Sequence, residues 1–472
     1  MTTENGLKQR TTSGSKENGN STKSSLSSSS VLKQPDPSKT HQTVYIVFIS
    51  LLLDLLAFTM ILPLLPSLLE YYRLNDKAGL YHTLSSSVRF FQELVGAPDK
   101  FNSVLFGGFL GSMFSFLQFI VSPIVGGLSD CYGRKPIMMV CLLGIAASYG
   151  IWAWSSNFAI FVLARFVGGL SKGNISLSMA IITDVSNEKN RGKGMALVGI
   201  AFSLGFIIGP MIGAIFSRYS DKTMETWFWL PAIFAMTLAT ADLLFVAGCL
   251  KETLPKEKRA KHVVNSVSRA MEHVSVRSLF KFDAVKSLSK DKLESLQSLG
   301  LIYFLYLFIY SGLEFTVTFL MYHKFGYTSI DQAKMFLTTG IVMAFLQGSV
   351  VRRLPSARTQ KSAVFGLVLI VPAFILVGLA TDGKLLYAGM ILFAISTAFV
   401  VTCMTTLVSE YGRSDQKGTV LGIYRSLGAL ARALGPIAAS IAFWSVGSLA
   451  TYVLGGFLLL GPALMLHRLR LA

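Results

Sequence analysis

Charged residues are scarce in this chain of 472 residues, of which Asp, Glu, Lys and Arg make up only 14%. Soluble domains carry roughly 25%, so this composition does not suit a protein surrounded by water. Only four cysteines occur, at Cys131, Cys141, Cys249 and Cys403, and their positions suit neither a disulfide framework nor a metal site. A phosphate-binding G-x-x-x-x-G-K-[ST] loop is missing, and no nucleophile, metal or dinucleotide motif stands out. These absences argue against an enzyme, and we expect no cofactor and no direct use of ATP.

Apolar sequence fills the chain instead, since 52% of the residues are hydrophobic. A membrane-spanning helix needs about 20 apolar residues. The runs of this kind are long and continuous and do not alternate, which favours helices over a barrel. We count twelve spans, at 43–69, 103–128, 136–155, 158–183, 194–217, 226–250, 299–320, 332–350, 361–380, 384–408, 418–438 and 441–466. The sequence therefore predicts an all-α membrane protein with twelve transmembrane helices.

A long, basic segment divides these spans into six and six. Its basic residues alternate with apolar ones, so it could lie on anionic lipid, although a solvated linker is an equal alternative. The first residues of the chain contain too few large apolar side chains to fold. We predict a disordered tail at 1–42, an N-terminal half at 43–250, a linker at 251–298, a C-terminal half at 299–466 and a short tail at 467–472.

The two halves share a sequence pattern. Gly209-Pro210 in the fifth span recurs as Gly435-Pro436 in the eleventh, each preceded at the same spacing by a basic residue and a glycine. Internal repeats of this kind are how secondary transporters are built. The pattern supports two pseudo-symmetric halves of six helices.

The formal net charge of +18 would suggest a nucleic-acid partner in a soluble protein. Here the positive-inside rule is the better account, because Lys and Arg favour cytoplasmic loops. Basic residues concentrate at 134–135, 189–193, 352–358 and 468–470, whereas the loop at 70–102 balances basic and acidic residues. We expect both termini to be cytoplasmic and no nucleic acid to be bound. The plasma membrane is the default location, with an intracellular membrane as the alternative.

One short, charged turn joins the second and third spans. It reads G-x-L-S-D-x-x-G-R-K, with Gly126, Asp130, Gly133, Arg134 and Lys135 at the fixed positions. Charge-assisted hydrogen bonds between the aspartate and arginine can link the helix ends, and the glycines allow close approach. The pattern resembles the loop between helices 2 and 3 of the major facilitator superfamily, with a cysteine in place of the usual arginine. This resemblance implies transport of small solutes by alternating access, with this loop as a gate.

Further matches point to the drug:proton antiporter branch of that family. Arg165 in the fourth span begins an R-x-x-x-G pattern, and the first span carries an aspartate followed by P-L-L-P. The fifth span resembles the branch's packing motif, with an alanine replacing its final glycine; the matching positions are Gly205, Gly209, Pro210 and Gly213. The resemblance implies organic anions and amphipathic drugs as substrates, and a monomer.

Charges within the spans are functional candidates, because a charge at the bilayer centre costs about 2.5–3.5 kcal/mol. Asp54 lies near the middle of the first span, and the family motifs suggest that Arg165 neutralises it. Lys172 lies seven residues after Arg165 and so on the same helix face. Two cations there favour an anionic substrate or a shared carboxylate. A structural ion pair and a lysine extending to the interface are the alternatives.

Glu314 in the seventh span and Asp242 in the sixth are further proton-coupling candidates, with helix contacts and structural pairing as alternatives. Arg425 and Arg432 share a face of the eleventh span, and Arg432 is the better placed for a central cavity. Tyrosines of the seventh span, including Tyr306 and Tyr310, could line that cavity or serve helix packing.

Together these features predict a secondary active transporter of amphipathic organic anions or drugs. Exchange or efflux would be driven by the proton gradient, with Asp54 and Glu314 handling protons and Arg165, Lys172 and Arg432 making the cavity positive. Membrane lipids would surround it. An uncoupled facilitator, or a non-transporting receptor or scaffold on the same fold, is the alternative.

Overall fold

The computed structural model describes residues 42–76, 79–96, 98–186, 188–220, 228–259, 262–263, 275–285, 288–411 and 417–469. Within these ranges the chain is almost wholly helical and contains no strand. The predicted tail at 1–42 lies outside them except for its last residue, and the predicted linker at 251–298 is described only in part.

The N-terminal half contains nine helices in its described residues. They are α1 (Gln42–Thr59), α2 (Leu65–Asn75), α3 (Leu80–Val95), α4 (Asn102–Tyr132), α5 (Arg134–Ala153), α6 (Phe158–Ser171), α7 (Asn174–Val185), α8 (Glu188–Ser220) and α9 (Trp229–Cys249). Helices α1 and α2 together form the first span, which therefore extends beyond the predicted 43–69. The loop predicted at 70–102 contains a helix of its own, α3.

The described C-terminal part contains α10 (Val276–Lys281), α11 (Lys290–Phe325), α12 (Ser329–Ser349), α13 (Ser356–Leu379), α14 (Gly383–Ser409), α15 (Lys417–Leu458) and α16 (Leu460–Arg468). Helix α11 is longer than the predicted span at 299–320, and it takes up the last residues of the predicted linker.

Ten helical segments of the described chain are long and apolar enough to cross a membrane. One of them, at 420–468, passes Gly447, whose φ of 80° and ψ of 170° interrupt the helix. The chain reverses there: Trp444 contacts the first residue of α4, whereas Leu466 contacts Gln360 near the beginning of α13. That segment therefore holds two spans. Helix α12 is less apolar but packs between α8 and α14 as a further span, which gives the predicted twelve.

The fourth span is broken in its middle. Helix α6 ends at Ser171 and α7 begins at Asn174. A Cβ atom on Gly173 would lie 2.7 Å from Val125 of α4, so this close approach requires glycine. The break frees the side chains beside it to turn into the helix bundle.

The two halves meet where α4 packs on α15 and where α8 packs on α12. We call the membrane face that carries the 126–135 turn the motif face, and the opposite face the distal face. Contacts between the halves at the distal face include the indole of Trp444, which donates to Asn102 Oδ1 over 2.9 Å. Deeper in the bundle, Ser112 Oγ accepts from the backbone amide of Ile437 over 2.9 Å.

Candidate functional site

The break in the fourth span places a lysine against the carboxylate of the first span. Lys172 Nζ lies 2.5 Å from Asp54 Oδ1, and Asn174 Nδ2 donates to Asp54 Oδ2 over 2.8 Å. The side chains of the ion pair are 3% and 1% exposed. The ammonium also lies 4.9 Å from the centre of the Phe58 ring. Each oxygen of the carboxylate is thus satisfied inside the N-terminal half.

Arg165 does not neutralise Asp54, and that expectation is wrong. Its guanidinium lies over the rings of Tyr149, Trp152 and Phe161 at 5.6 to 5.9 Å, and its Nε has no hydrogen-bond partner among the described residues. The shared face predicted for Arg165 and Lys172 assumes one continuous helix. The helix ends between them, so only the lysine turns toward α1.

Asp242 of α9 is fully buried close to this ion pair. Neither of its carboxyl oxygens has a hydrogen-bond partner within the described chain, and Ser50 of α1 is a polar neighbour. Its electrostatic partners include Asp54 and Lys172. The structure therefore brings three of the predicted charges together in the N-terminal half.

In the C-terminal half, Glu314 lies on the inward face of α11. Tyr310, Val317 and Met321 share that face and are buried, yet the Glu314 side chain is accessible to solvent. Tyr310 donates its hydroxyl hydrogen to Glu314 Oε1 over 3.1 Å and accepts from Thr397 over 3.3 Å. The Glu314 carboxylate is therefore accessible among buried neighbours, which is the arrangement expected of a residue that lines a central cavity.

Arg432 borders the same region from α15. It is accessible, although its helix neighbours on that side, Gly428 and Gly435, pack against Tyr303 and Ser311 of α11. It forms no ion pair with any described residue, but it acts electrostatically on Glu314. Arg432 is therefore an accessible guanidinium without an ion-pair partner among the described residues.

The other predicted cavity residues are less open. Tyr306 and Tyr310 are buried, with ring centres 5.2 Å apart, and Tyr310 stacks on Phe393 at 5.2 Å. Arg425 is half-buried and donates to the sulfur of Met179 in α7 over 2.7 Å. It therefore lies at a contact between the two halves, apart from the pair of Glu314 and Arg432.

At the motif face, Arg134 holds several helix ends together. It pairs with Asp130 at 2.6 Å and with Asp184 of α7 at 2.9 Å. Its backbone amide donates to Glu252, which follows α9, over 2.9 Å. Lys135 Nζ donates to the carbonyl of Ala247 in α9 over 2.7 Å. The turn therefore links α4 and α5 to α7 and to the end of α9.

The two motif glycines of this turn, Gly126 and Gly133, have different surroundings. Gly133 has a φ of 106°, and a Cβ there would collide with the Glu252 carboxylate. Gly126 has open space around its Cα, so it does not make the close helix approach expected of it.

The glycine motif of the fifth span faces α1. Cβ atoms on Gly205, Gly209 and Gly213 would collide with Leu55, Thr59 and Met60 respectively. Thr59 Oγ1 donates to the carbonyl of Gly205 over 2.7 Å, and Pro210 lies within α8. The stripe lets α8 approach the helix that carries Asp54.

Several site residues were not foreseen from the sequence. Asn174, Asp184 and Thr397 complete the networks around predicted residues. Asn102 and Trp444 join the halves at the distal face. Asn174 was within reach of sequence reasoning, because it follows the lysine and glycine of the helix break; the others carry no periodic signal.

Comparison with known proteins agrees with this architecture. The model of the Major Facilitator Superfamily matches residues 47–436. Major facilitator superfamily domain-containing protein 10 from Homo sapiens is 45% identical over 435 residues, which are 91% of this chain and 93% of that protein. Multidrug resistance protein 2 from Bacillus subtilis is 26% identical over 352 residues, or 71% of this chain and 79% of that protein.

Among solved structures, the crystal structure of the human organic anion transporter MFSD10 (TETRAN) matches with a TM-score of 0.73 and 45% identity. The match covers 90% of this chain and 98% of that one. The resemblance found in the sequence and the twelve-helix fold are both confirmed. This chain, a multi-pass membrane protein, belongs to the major facilitator superfamily of transporters.

Proposed function

We propose that the protein is a proton-coupled secondary transporter of amphipathic organic anions that works by alternating access. The observation that carries this proposal is the accessible guanidinium of Arg432, which has no ion-pair partner among the described residues and acts electrostatically on the accessible carboxylate of Glu314. A family member with a free cation and a titratable group at one internal position has the parts that coupling requires.

Arg432 supplies the anion site. A guanidinium offers planar donors that match carboxylate, sulfate or phosphate groups. The adjoining wall contains Tyr306, Tyr310 and Phe393, which present apolar surface with a few hydroxyl groups. An organic anion with an aromatic or steroid body fits both features. The description of the human relative as an organic anion transporter supports the same substrate class.

Glu314 supplies the proton site. When ionised it attracts the guanidinium of Arg432 and competes with a bound anion. When protonated it leaves Arg432 free, so a proton and an anion would favour each other's binding. This arrangement favours movement of the two in the same direction. Movement in opposite directions is what the likeness to drug:proton antiporters suggests, and a transport assay separates the two.

The motif-face network would control access. Arg134, Asp184 and Glu252 tie the motif-face ends of the N-terminal half together, and the hydrogen bond of Trp444 to Asn102 closes the distal face. Alternating access would break the distal contacts while forming others at the motif face.

The test is uptake of labelled oestrone sulfate into proteoliposomes under pH gradients of either sign. Its sulfate stays ionised at every pH used, so a gradient acts through the protein alone. Glu314→Gln should abolish the response to the gradient, and Arg432→Gln should abolish uptake. Glu294→Gln, on an exposed position of the same helix, is the matched control and should behave as wild type.

The other outcomes are equally informative. Uptake that ignores the gradient in the wild-type protein would indicate a facilitator and refute the coupling. Failure of the wild-type protein to move oestrone sulfate or any other organic anion would refute the substrate class. Normal function of both cavity variants in cells would favour the receptor or scaffold alternative.

A further inference from the structure

Helix α3, which connects the first two spans at the distal face, has three distinct sides. One side packs on the protein. The ring of Tyr81 meets the rings of Phe106 and Phe158 edge-on at 5.0 and 5.2 Å, and Gln92 accepts a hydrogen bond from Asn102. These contacts fix how the helix is rotated about its own axis.

The second side is apolar and exposed. Leu80, Leu84, Phe91 and Leu94 recur at the spacing of a single helical stripe, with Phe90 beside them. Leu80 and Leu84 pack partly against the core, so the exposed part of the stripe lies at the C-terminal end of α3. Phe90, Phe91 and Leu94 are 70%, 58% and 74% exposed. Three large apolar side chains at one end of a short helix would be costly in water.

The third side is polar. His82, Ser86, Arg89 and Glu93 follow the same helical spacing on another side of α3, and all four are exposed. The C-terminal part of α3 thus divides its free surface into an apolar and a polar side, which suits a boundary between hydrocarbon and water. Nearer its beginning, Thr83 and Ser87 lie on the apolar side and donate their hydroxyl hydrogens to backbone carbonyls.

The contacts of α3 place it at that boundary. It begins within a few residues of the end of α2 and ends shortly before the beginning of α4. Phe158, which touches Tyr81, is the first residue of α6, and Phe106 lies about one turn into α4. The helix is therefore at the depth where membrane spans begin, where an exposed apolar side can meet the acyl chains of the bilayer.

We propose that α3 is a membrane-surface helix whose partner is the lipid of the distal leaflet, with Phe90, Phe91 and Leu94 inserted between the acyl chains. His82, Ser86, Arg89 and Glu93 face the headgroups and water. Through Gln92 and Asn102 the same helix is joined to Trp444 of the C-terminal half. The lipid-anchored helix thus contacts the junction that holds the distal face closed. The proposal rests on the membrane-spanning fold and does not depend on the substrate.

Nitroxide scanning of the full-length protein in phosphatidylcholine nanodiscs tests this assignment. Single labels at Phe91→Cys and Leu94→Cys are compared with labels at Ser86→Cys and Glu93→Cys, after replacement of the native cysteines. Labels at 91 and 94 should collide more with oxygen than with a water-soluble nickel chelate, and labels at 86 and 93 should show the reverse. Equal access of the chelate to all four positions would overturn the proposal.

A second measurement avoids the cysteine replacements, two of which fall on buried positions. Brominated lipids should quench the added fluorescence of Phe91→Trp more than that of His82→Trp. Equal quenching at both positions would contradict insertion. Spin–spin broadening between molecules at position 91 or 94 would show that a second copy covers this side, and would likewise refute the lipid assignment.

Discussion

Lys172 and Asp54 form a buried ion pair, with 2.5 Å between Nζ and Oδ1. Asn174 donates a hydrogen bond to the other oxygen of the Asp54 carboxylate. The pair joins the broken fourth span to the first span. Burial removes both groups from water, so neither charge is stable inside the bundle without the other.

Removing one partner of this ion pair should therefore reduce the stability of the protein. Lys172→Met leaves the Asp54 carboxylate uncompensated, and we expect a loss of about 3–5 kcal/mol of stability. Thermal unfolding of the purified protein in detergent measures it, and Asp54→Asn in the same chain should restore part of the loss.

Lys334→Met provides the matched control for that substitution. Lys334 pairs with Asp331 at 3.2 Å, but the two side chains are 64% and 39% exposed. An exposed pair contributes about 0–1 kcal/mol, so this variant should unfold close to the wild-type temperature. Equal effects of the two lysine substitutions would contradict the structural role of the buried pair.

The glycine stripe of α8 should be intolerant of a methyl group. Gly209→Ala places a Cβ against Thr59 of α1, and we expect about 1–3 kcal/mol of destabilisation from overpacking. Gly199→Ala on the same helix meets nothing within 4 Å and should be neutral. Thermal unfolding of the two variants side by side tests this, and similar melting temperatures would mean that α1 and α8 can separate without cost.

Transport should depend on both the charge and the planar shape of the Arg134 guanidinium. Arg134→Lys keeps the charge but loses the fork that pairs with both Asp130 and Asp184. We expect uptake to fall strongly in Arg134→Gln and to recover only partly in Arg134→Lys, at equal amounts of protein in the vesicles. Full recovery with lysine would show that a point charge suffices at the motif face.

The hydrogen bond from the Trp444 indole should favour the conformation in which the two halves are in contact at the distal face. Trp444→Phe removes the donor to Asn102, a net loss of about 1 kcal/mol, which corresponds to roughly fivefold in population. Pulsed electron resonance between a label near the beginning of α4 and a label near Gly447, where α15 reverses at the distal face, should show more of the longer distance. Trp154→Phe, which replaces an 81% exposed indole, is the control and should leave the distances unchanged.

Most of the spans could be predicted from the sequence, because an apolar run of bilayer length rarely forms anything other than a membrane-spanning helix. The helix within the 70–102 loop was missed, although its apolar and polar stripes are present in the sequence. The balanced charges of this loop bear on topology and do not reveal its helix. The repeat of Leu80, Leu84, Phe91 and Leu94 would have revealed it.

The sequence predicts which charged residues lie within the membrane spans, but it predicts only partly which of them pair. Asp54, Lys172, Glu314 and Arg432 were chosen because lipid penalises charge, which a sequence can show. The partner of Asp54 depends on a break at Gly173, and that break depends on how closely α4 approaches. Such tertiary contacts leave no trace in the sequence pattern, whereas the family motifs indicate Arg165 as the partner.

The break at Gly447 has a mechanical consequence. It joins the last two spans through one residue in a conformation that favours glycine, with no loop to take up slack. We therefore expect a displacement of the first arm, which carries Arg432, to reach the second arm, whose Tyr452 donates to the Leu313 carbonyl of α11. If a solute binds at Arg432 as proposed, we expect the final two spans to move together during the transport cycle.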